Sequence, residues 1–130
     1  MQTQFLVQGV IVTLVLWILW GSSQVYAGGI ISYTNEVKMN VLSVKEETLR
    51  NYGAVSRETA AEMSEGALRL TGADIAVSIT GIAGPTGAVP GKPVGTVCFA
   101  ICVDDIIFSK TCYYKTSRNV LRERVTVQIF

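Results

Sequence analysis

Asp74 to Thr80 reads DIAVSIT and runs directly into Gly81 to Gly95, GIAGPTGAVPGKPVG. The first piece reads as a strand, apolar enough to be buried on both faces, as in a sheet covered by helices. The second is a loop of fifteen residues that holds all three prolines and five glycines. A loop of that length without secondary structure of its own is uncommon in a compact domain and usually carries function. It also leaves the carboxyl end of a buried strand, where open α/β sheets bind ligands. Its opening residues, Thr80-Gly81-Ile82-Ala83-Gly84-Pro85, supply a hydroxyl and then glycines. Glycines let the backbone approach a ligand closely and turn N–H groups toward an anion or a carbonyl oxygen. The loop is neither a Walker loop nor a dinucleotide fingerprint, because no GK[ST] is present and Pro85 stands where a helix would begin. On chemistry alone, a ligand site and a plain irregular connection remain equal readings.

Moving outward, Thr96 to Val103 (TVCFAICV) is a second buried-type strand. Asp104-Asp105 makes a tight turn into Ile106 to Tyr114, which predicts a hairpin. Ser117 can cap a last helix, with Leu121, Val125 and Gln128 or Ile129 along one face. That face is still apolar at Phe130, so the helix reads as incomplete. On the other side, Ser56 caps a helix whose apolar positions Ala60, Met63, Ala67 and Leu70 recur at helical spacing, and Gly72 ends it. Val44 to Tyr52 reads as a short polar helix stopped by Gly53, and Gly28 to Tyr33 (GGIISY) as a strand. This order predicts an α/β fold, a three-layer α/β/α sandwich on a mixed, mostly parallel sheet.

The composition narrows the chemistry. The chain has 130 residues, the length of one domain. Eleven basic residues face ten acidic ones, so no basic face speaks for a nucleic-acid partner. The absence of histidine removes Ser-His-Asp and Cys-His catalysis and most zinc sites. No metal and no cofactor is called for. Cys98, Cys102 and Cys112 lie in strand-like stretches without CxxC spacing, as small apolar core residues of a protein in a reducing, cytoplasmic compartment.

A second polar cluster follows the first strand: Ser32-Tyr33-Thr34-Asn35-Glu36-Val37-Lys38. Asn35 and Lys38 share a face if this stretch is helical. Tyr33 and Lys38 are groups able to move protons without histidine. The competing reading is a solvated turn with a surface lysine.

Taken in order, GSSQVYAGGIISYTNEVK, LSVKEETLRNYGAVS, AEMSEGAL, GADIAVSITGIAGPTG and KPVGTVCFAI closely resemble the CinA C-terminal domain family. The resemblance covers roughly Gly21 to Ile101, and its YxNEVK, GAVS and TGIAGP blocks are specific. It implies an amidohydrolase that converts nicotinamide mononucleotide to nicotinic acid mononucleotide and ammonia, in pyridine-nucleotide salvage. It also implies catalytic roles for Tyr33 and Lys38. Asn35, Thr80, Gly81, Gly84 and Arg118 would line the substrate site, with Arg118 suited to a phosphate and the Thr80–Gly84 backbone suited to an oxyanion. A homo-oligomer is left open.

Members of that family carry Glu-Ser-Cys-Thr-Gly-Gly upstream of the GSS block, and its serine is taken as the nucleophile. Here the family's spacing lands on Phe5-Leu6-Val7-Gln8-Gly9-Val10. Those residues can be encoded TTT-CTT-GTA-CAG-GGG-GTN. Read from the third base of the Phe5 codon, the same bases spell Ser-Cys-Thr-Gly-Gly. In that frame Trp17-Ile18 forces an aspartate and Trp20-Gly21 a glycine, as the family has before its GSS block. The codon before the shifted serine reads Ile or Val rather than Glu.

Phe5 to Trp20, FLVQGVIVTLVLWILW, is almost wholly apolar. Its length approaches the roughly 20 residues a spanning helix needs, and no basic region precedes it as in a signal peptide. The frame argument makes residues 1–20 an atypical, out-of-frame N-terminus and residues 21–130 the amidase-type domain, with membrane attachment the weaker expectation. Without the serine motif, turnover is expected to be impaired. The alternatives are a non-catalytic nucleotide-binding domain, a degenerate product and a membrane-tethered protein.

Overall fold

The computed structural model describes residues 27–117 together with Val120, Leu121, Arg124 and Val125. The apolar run from Phe5 to Trp20, Leu6 with it, and Arg118 lie outside the described residues.

Among the described residues, three helices precede three strands. Helix α1 spans Asn35–Leu42, α2 spans Glu46–Tyr52 and α3 spans Arg57–Thr71. Strands β1 (Ile75–Gly81), β2 (Thr96–Val103) and β3 (Ile106–Tyr113) follow. The helix starts are fixed by caps, two local and one from a neighbouring helix. The Thr34 hydroxyl accepts the Val37 N–H at 3.2 Å and starts α1. Ser56 does the same for α3 by accepting from Thr59, and Gly72 closes that helix in the left-handed region at φ 66°. Lys45, which precedes α2, makes no side-chain cap. Glu62 of α3 supplies one instead, accepting the Lys45 N–H at 2.8 Å and the Thr48 hydroxyl at 2.7 Å. The stretch expected as one helix from Val44 is therefore α2 alone, and α1 is a separate helix that the polar YTNEVK sequence concealed.

The sheet is antiparallel throughout the described strands, in the order β1-β2-β3. Ser78 lies opposite Ala100, and Ile101 opposite Phe108. The mostly parallel sheet expected from sequence does not appear among the described strands. That expectation needed Gly28–Tyr33 as a strand, and this stretch forms none. Its carbonyls have other work, since the Lys38 ammonium takes those of Ser32 and Tyr33. The hairpin is as expected, with Asp104 in the left-handed region at φ 51° in its turn.

Helix α3 packs across all three strands, and α1 and α2 pack on α3. Ala60 meets Cys98 and Ala100 on one sheet face, and Ser78 donates its hydroxyl to the Ala60 carbonyl. On the opposite face, Leu121 and Val125, both helical, pack on Val97, Ile79 and Ala83. They cover only one end of that face. Ile75 and Val77 remain 59% and 43% exposed, so β1 is not buried on both sides as its composition implied. Leu42, Val44 and Met63 form a further core where α1 meets α3. Burial of each such side chain is worth about 1.5–3 kcal/mol. Gly66 permits this crossing, because a Cβ there would overlap the Leu42 carbonyl.

Candidate functional site

Two polar groups stand out, each built on a loop and the helix or strand beside it. The first lies at the start of α1. One helical turn after its Thr34 cap, Lys38 points inward and is only 5% exposed. Its Nζ donates to the Ser32 carbonyl at 2.8 Å and to the Tyr33 carbonyl at 3.1 Å. Burial pushes its pKa below the ordinary lysine value of 10.5. This removes the reading of Lys38 as a surface lysine.

The arrangement has a chemical consequence. When the amine gives up a proton it keeps two N–H bonds, and two carbonyls are present to receive them. Its lone pair is then left to take a proton. Tyr33, by contrast, is 62% exposed, and Asn35 is exposed at the first position of α1. The Ser32 side chain faces inward, with its hydroxyl buried and lacking a hydrogen-bond partner among the described residues.

The second group ties the exit of β1 to the loop between α2 and α3. The buried Thr80 hydroxyl donates to the Ala54 carbonyl at 2.8 Å. Its proton is therefore committed, and the oxygen retains only acceptor capacity. Ser56 and Thr59 both donate to the Gly53 carbonyl, at 3.0 and 2.7 Å. The Lys92 ammonium donates to the Tyr52 carbonyl. Gly81 is the exposed last residue of β1, opposite Val97. Gly84 sits at φ 76°, where a Cβ would come within 2.5 Å of a Val94 methyl. The loop is thus closely packed at Gly84 and pinned by the Val89–Lys92 bridge. Sequence reasoning passed over the roles of Tyr52, Ala54 and Lys92. The GAVS block pointed at Ala54, whereas nothing in the local sequence distinguishes Lys92.

The structure therefore gathers Ser32, Tyr33, Asn35 and Lys38 at one turn, and Thr80, Gly81 and Gly84 at the other loop. Among the described residues no group of three or more His, Cys, Asp or Glu side chains is placed to hold a metal ion. No helix among them is long and apolar enough to cross a membrane.

The family model of the CinA C-terminal domain matches residues 9–130. This chain belongs to the CinA C-terminal domain family. A CinA-like protein of Thermotoga maritima is 48% identical over 104 residues, which is 80% of this chain and 25% of that protein. A putative competence-damage inducible protein of Clostridium novyi is 44% identical over 83% of this chain and 26% of its own length. The chain thus spans about a quarter of the curated relatives it matches. Among solved structures, the competence damage-inducible protein A of Klebsiella pneumoniae superposes with a TM-score of 0.86 at 33% identity. That match covers 94% of this chain and 75% of the other. A CinA-family identity places the two loops just described within the specific sequence blocks YxNEVK, GAVS and TGIAGP. The family match begins at residue 9, so Leu6 falls outside it while much of the segment read as out of frame falls within.

Proposed function

We propose that this CinA-family domain is an amidohydrolase of nicotinamide mononucleotide whose turnover is impaired by the loss of its nucleophile. The observation that carries the reading is Lys38: a buried amine, lowered in pKa, with two carbonyls to orient it. That is the environment of a general base. In the reaction, a hydroxyl would attack the carboxamide carbon and pass its proton to Lys38. The carbonyl oxygen would gain the negative charge. Collapse of that adduct, with Lys38 passing its proton to the leaving nitrogen, would break the C–N bond and release ammonia, and water would then cleave the acyl ester to free nicotinic acid mononucleotide and the hydroxyl. Backbone N–H groups of the Thr80–Gly84 loop are our candidates for the oxyanion, and Arg118 for the phosphate.

The impairment follows from residue 6, where leucine stands at the position the family's spacing assigns to serine. A frameshift running from before Leu6 to about Gly21 would account for it and for the apolar run. Ammonia release from nicotinamide mononucleotide tests both halves. The chain as written should give little or none. A variant carrying Phe5→Glu, Leu6→Ser, Val7→Cys, Gln8→Thr and Val10→Gly should give clear turnover that Lys38→Ala abolishes. Equal rates in the two chains would remove the impairment.

A second reading, a nucleotide-binding domain without catalysis, rests on the same leucine. It is favoured if calorimetry detects nucleotide binding while the five-residue variant releases no ammonia.

A further inference from the structure

Ser32 carries a hydroxyl that the fold leaves idle. The residue is only 5% exposed, and its Oγ is enclosed without a hydrogen-bond partner among the described residues. The other buried serines and threonines among those residues all donate theirs. Thr48 gives its hydroxyl to Glu62, and Ser56, Thr59, Ser64, Ser78, Thr80 and Thr96 give theirs to main-chain carbonyls. An orphaned buried hydroxyl costs stability, so its presence points to a use other than folding.

That use is suggested by Lys38. The carbonyl that takes the Lys38 Nζ at 2.8 Å belongs to Ser32 itself. Only a few covalent bonds separate that carbonyl oxygen from Oγ, so the amine and the hydroxyl lie on the order of 5 Å apart. They are not hydrogen-bonded to each other at rest. A turn about the Ser32 χ1, or one bridging water, closes such a gap. The Ser32 and Tyr33 carbonyls occupy N–H bonds of the amine, which leaves its lone pair free once a proton has gone. The surroundings also leave a way in. Ile31 and Tyr33 on either side are 43% and 62% exposed. Residues 27–33 belong to no helix or strand, so no ladder holds the segment shut.

We propose that Ser32 is a nucleophile of this chain, activated by Lys38 toward the carbonyl carbon of a small carboxamide or ester. The Ser32 Oγ forms a bond to that carbon as its proton passes to the Lys38 Nζ. The C–N or C–O bond then breaks, and the leaving group takes the proton from Lys38. Water cleaves the ester left on Oγ and restores the hydroxyl. This route serves the chain as written, in which Leu6 offers no hydroxyl. It rests on the reading of Lys38 as a base, and not on which carboxamide is the substrate.

Diisopropyl fluorophosphate tests it on the full chain. The Oγ–P bond forms, the P–F bond breaks, fluoride leaves and Lys38 takes the hydroxyl proton. Peptide mass spectrometry should find the adduct on Ser32, and Ser32→Ala should carry none. Lys38→Met, with its fold confirmed by far-UV circular dichroism, should slow labelling about a hundredfold. Full denaturant should abolish labelling of the wild-type chain, which keeps the test decisive should Lys38→Met fail to fold. No adduct, an adduct on the exposed Tyr33 instead, or Ser32 labelling that survives Lys38→Met or denaturant overturns the proposal. The probe contains no nicotinamide, so its failure counts against Ser32 and leaves the substrate reading to the ammonia assay.

Discussion

Lys38 and Ser32 meet through the main chain: the Lys38 Nζ donates to the Ser32 carbonyl at 2.8 Å, while the Ser32 hydroxyl has no partner among the described residues. The carbonyl orients the amine, and the hydroxyl beside it is buried without a partner among the described residues. Those two facts lead to separate predictions.

Ser32→Ala removes a buried hydroxyl that is unpaired among the described residues and leaves the carbonyl in place. An unsatisfied buried polar group costs about 1–3 kcal/mol. The variant should therefore be as stable as the wild type or more stable, by up to about that amount. Chemical denaturation measures it. A clear loss of stability would show that the hydroxyl has a partner in solution.

Lys38→Met tests the cost of burying the amine. Burial lowers the folded-state pKa below 10.5, so the unfolded chain holds the proton more tightly. The burial cost is fully present below the folded pKa and is relieved as pH rises toward 10.5. The wild-type chain should gain stability relative to Lys38→Met across that window. Denaturation midpoints of both chains from neutral to alkaline pH give the comparison.

Gly66→Ala sets two effects against each other. Alanine is favoured over glycine inside a helix by about 1 kcal/mol. The added Cβ would overlap the Leu42 carbonyl and force α1 away from α3. Overpacking of a tight contact typically costs about 1–3 kcal/mol, and here the obstacle is backbone. The clash should win, giving a net loss of about 1–2 kcal/mol in denaturant unfolding.

Thiol labelling should be ordered by burial. Cys98 and Cys102 are buried, and desolvation raises both of their pKa values. Cys112 is only partly buried. A thiol reagent at neutral pH should modify Cys112 first in the native chain, and all three in denaturant. Mass spectrometry of time points identifies the sites.

Much of this arrangement was legible in the sequence. The Ser56 cap, the Gly72 stop and the Asp104-Asp105 hairpin rest on local chemistry, and each formed where its residues placed it. The sheet direction was not legible. GGIISY has the composition of a strand, but the amine six residues after Ser32 takes the carbonyls a ladder would need. α1 was hidden because its exposed residues are mostly polar and only Lys38 and Leu42 are buried along it. At the candidate site, the sequence singled out Tyr33, Lys38 and Thr80 as expectations and carried none of their geometry. Nothing local revealed that Lys38 points inward or that the Thr80 hydroxyl is committed to Ala54. Both depend on packing between distant segments.

The central claim is that Lys38 serves a hydrolase site from which the nucleophile has been lost. Ammonia release from nicotinamide mononucleotide by the chain carrying Phe5→Glu, Leu6→Ser, Val7→Cys, Gln8→Thr and Val10→Gly tests it most directly. The account predicts turnover well above that of the chain as written, abolished by Lys38→Ala. A folded variant that releases no ammonia, or one whose rate survives Lys38→Ala, would contradict it.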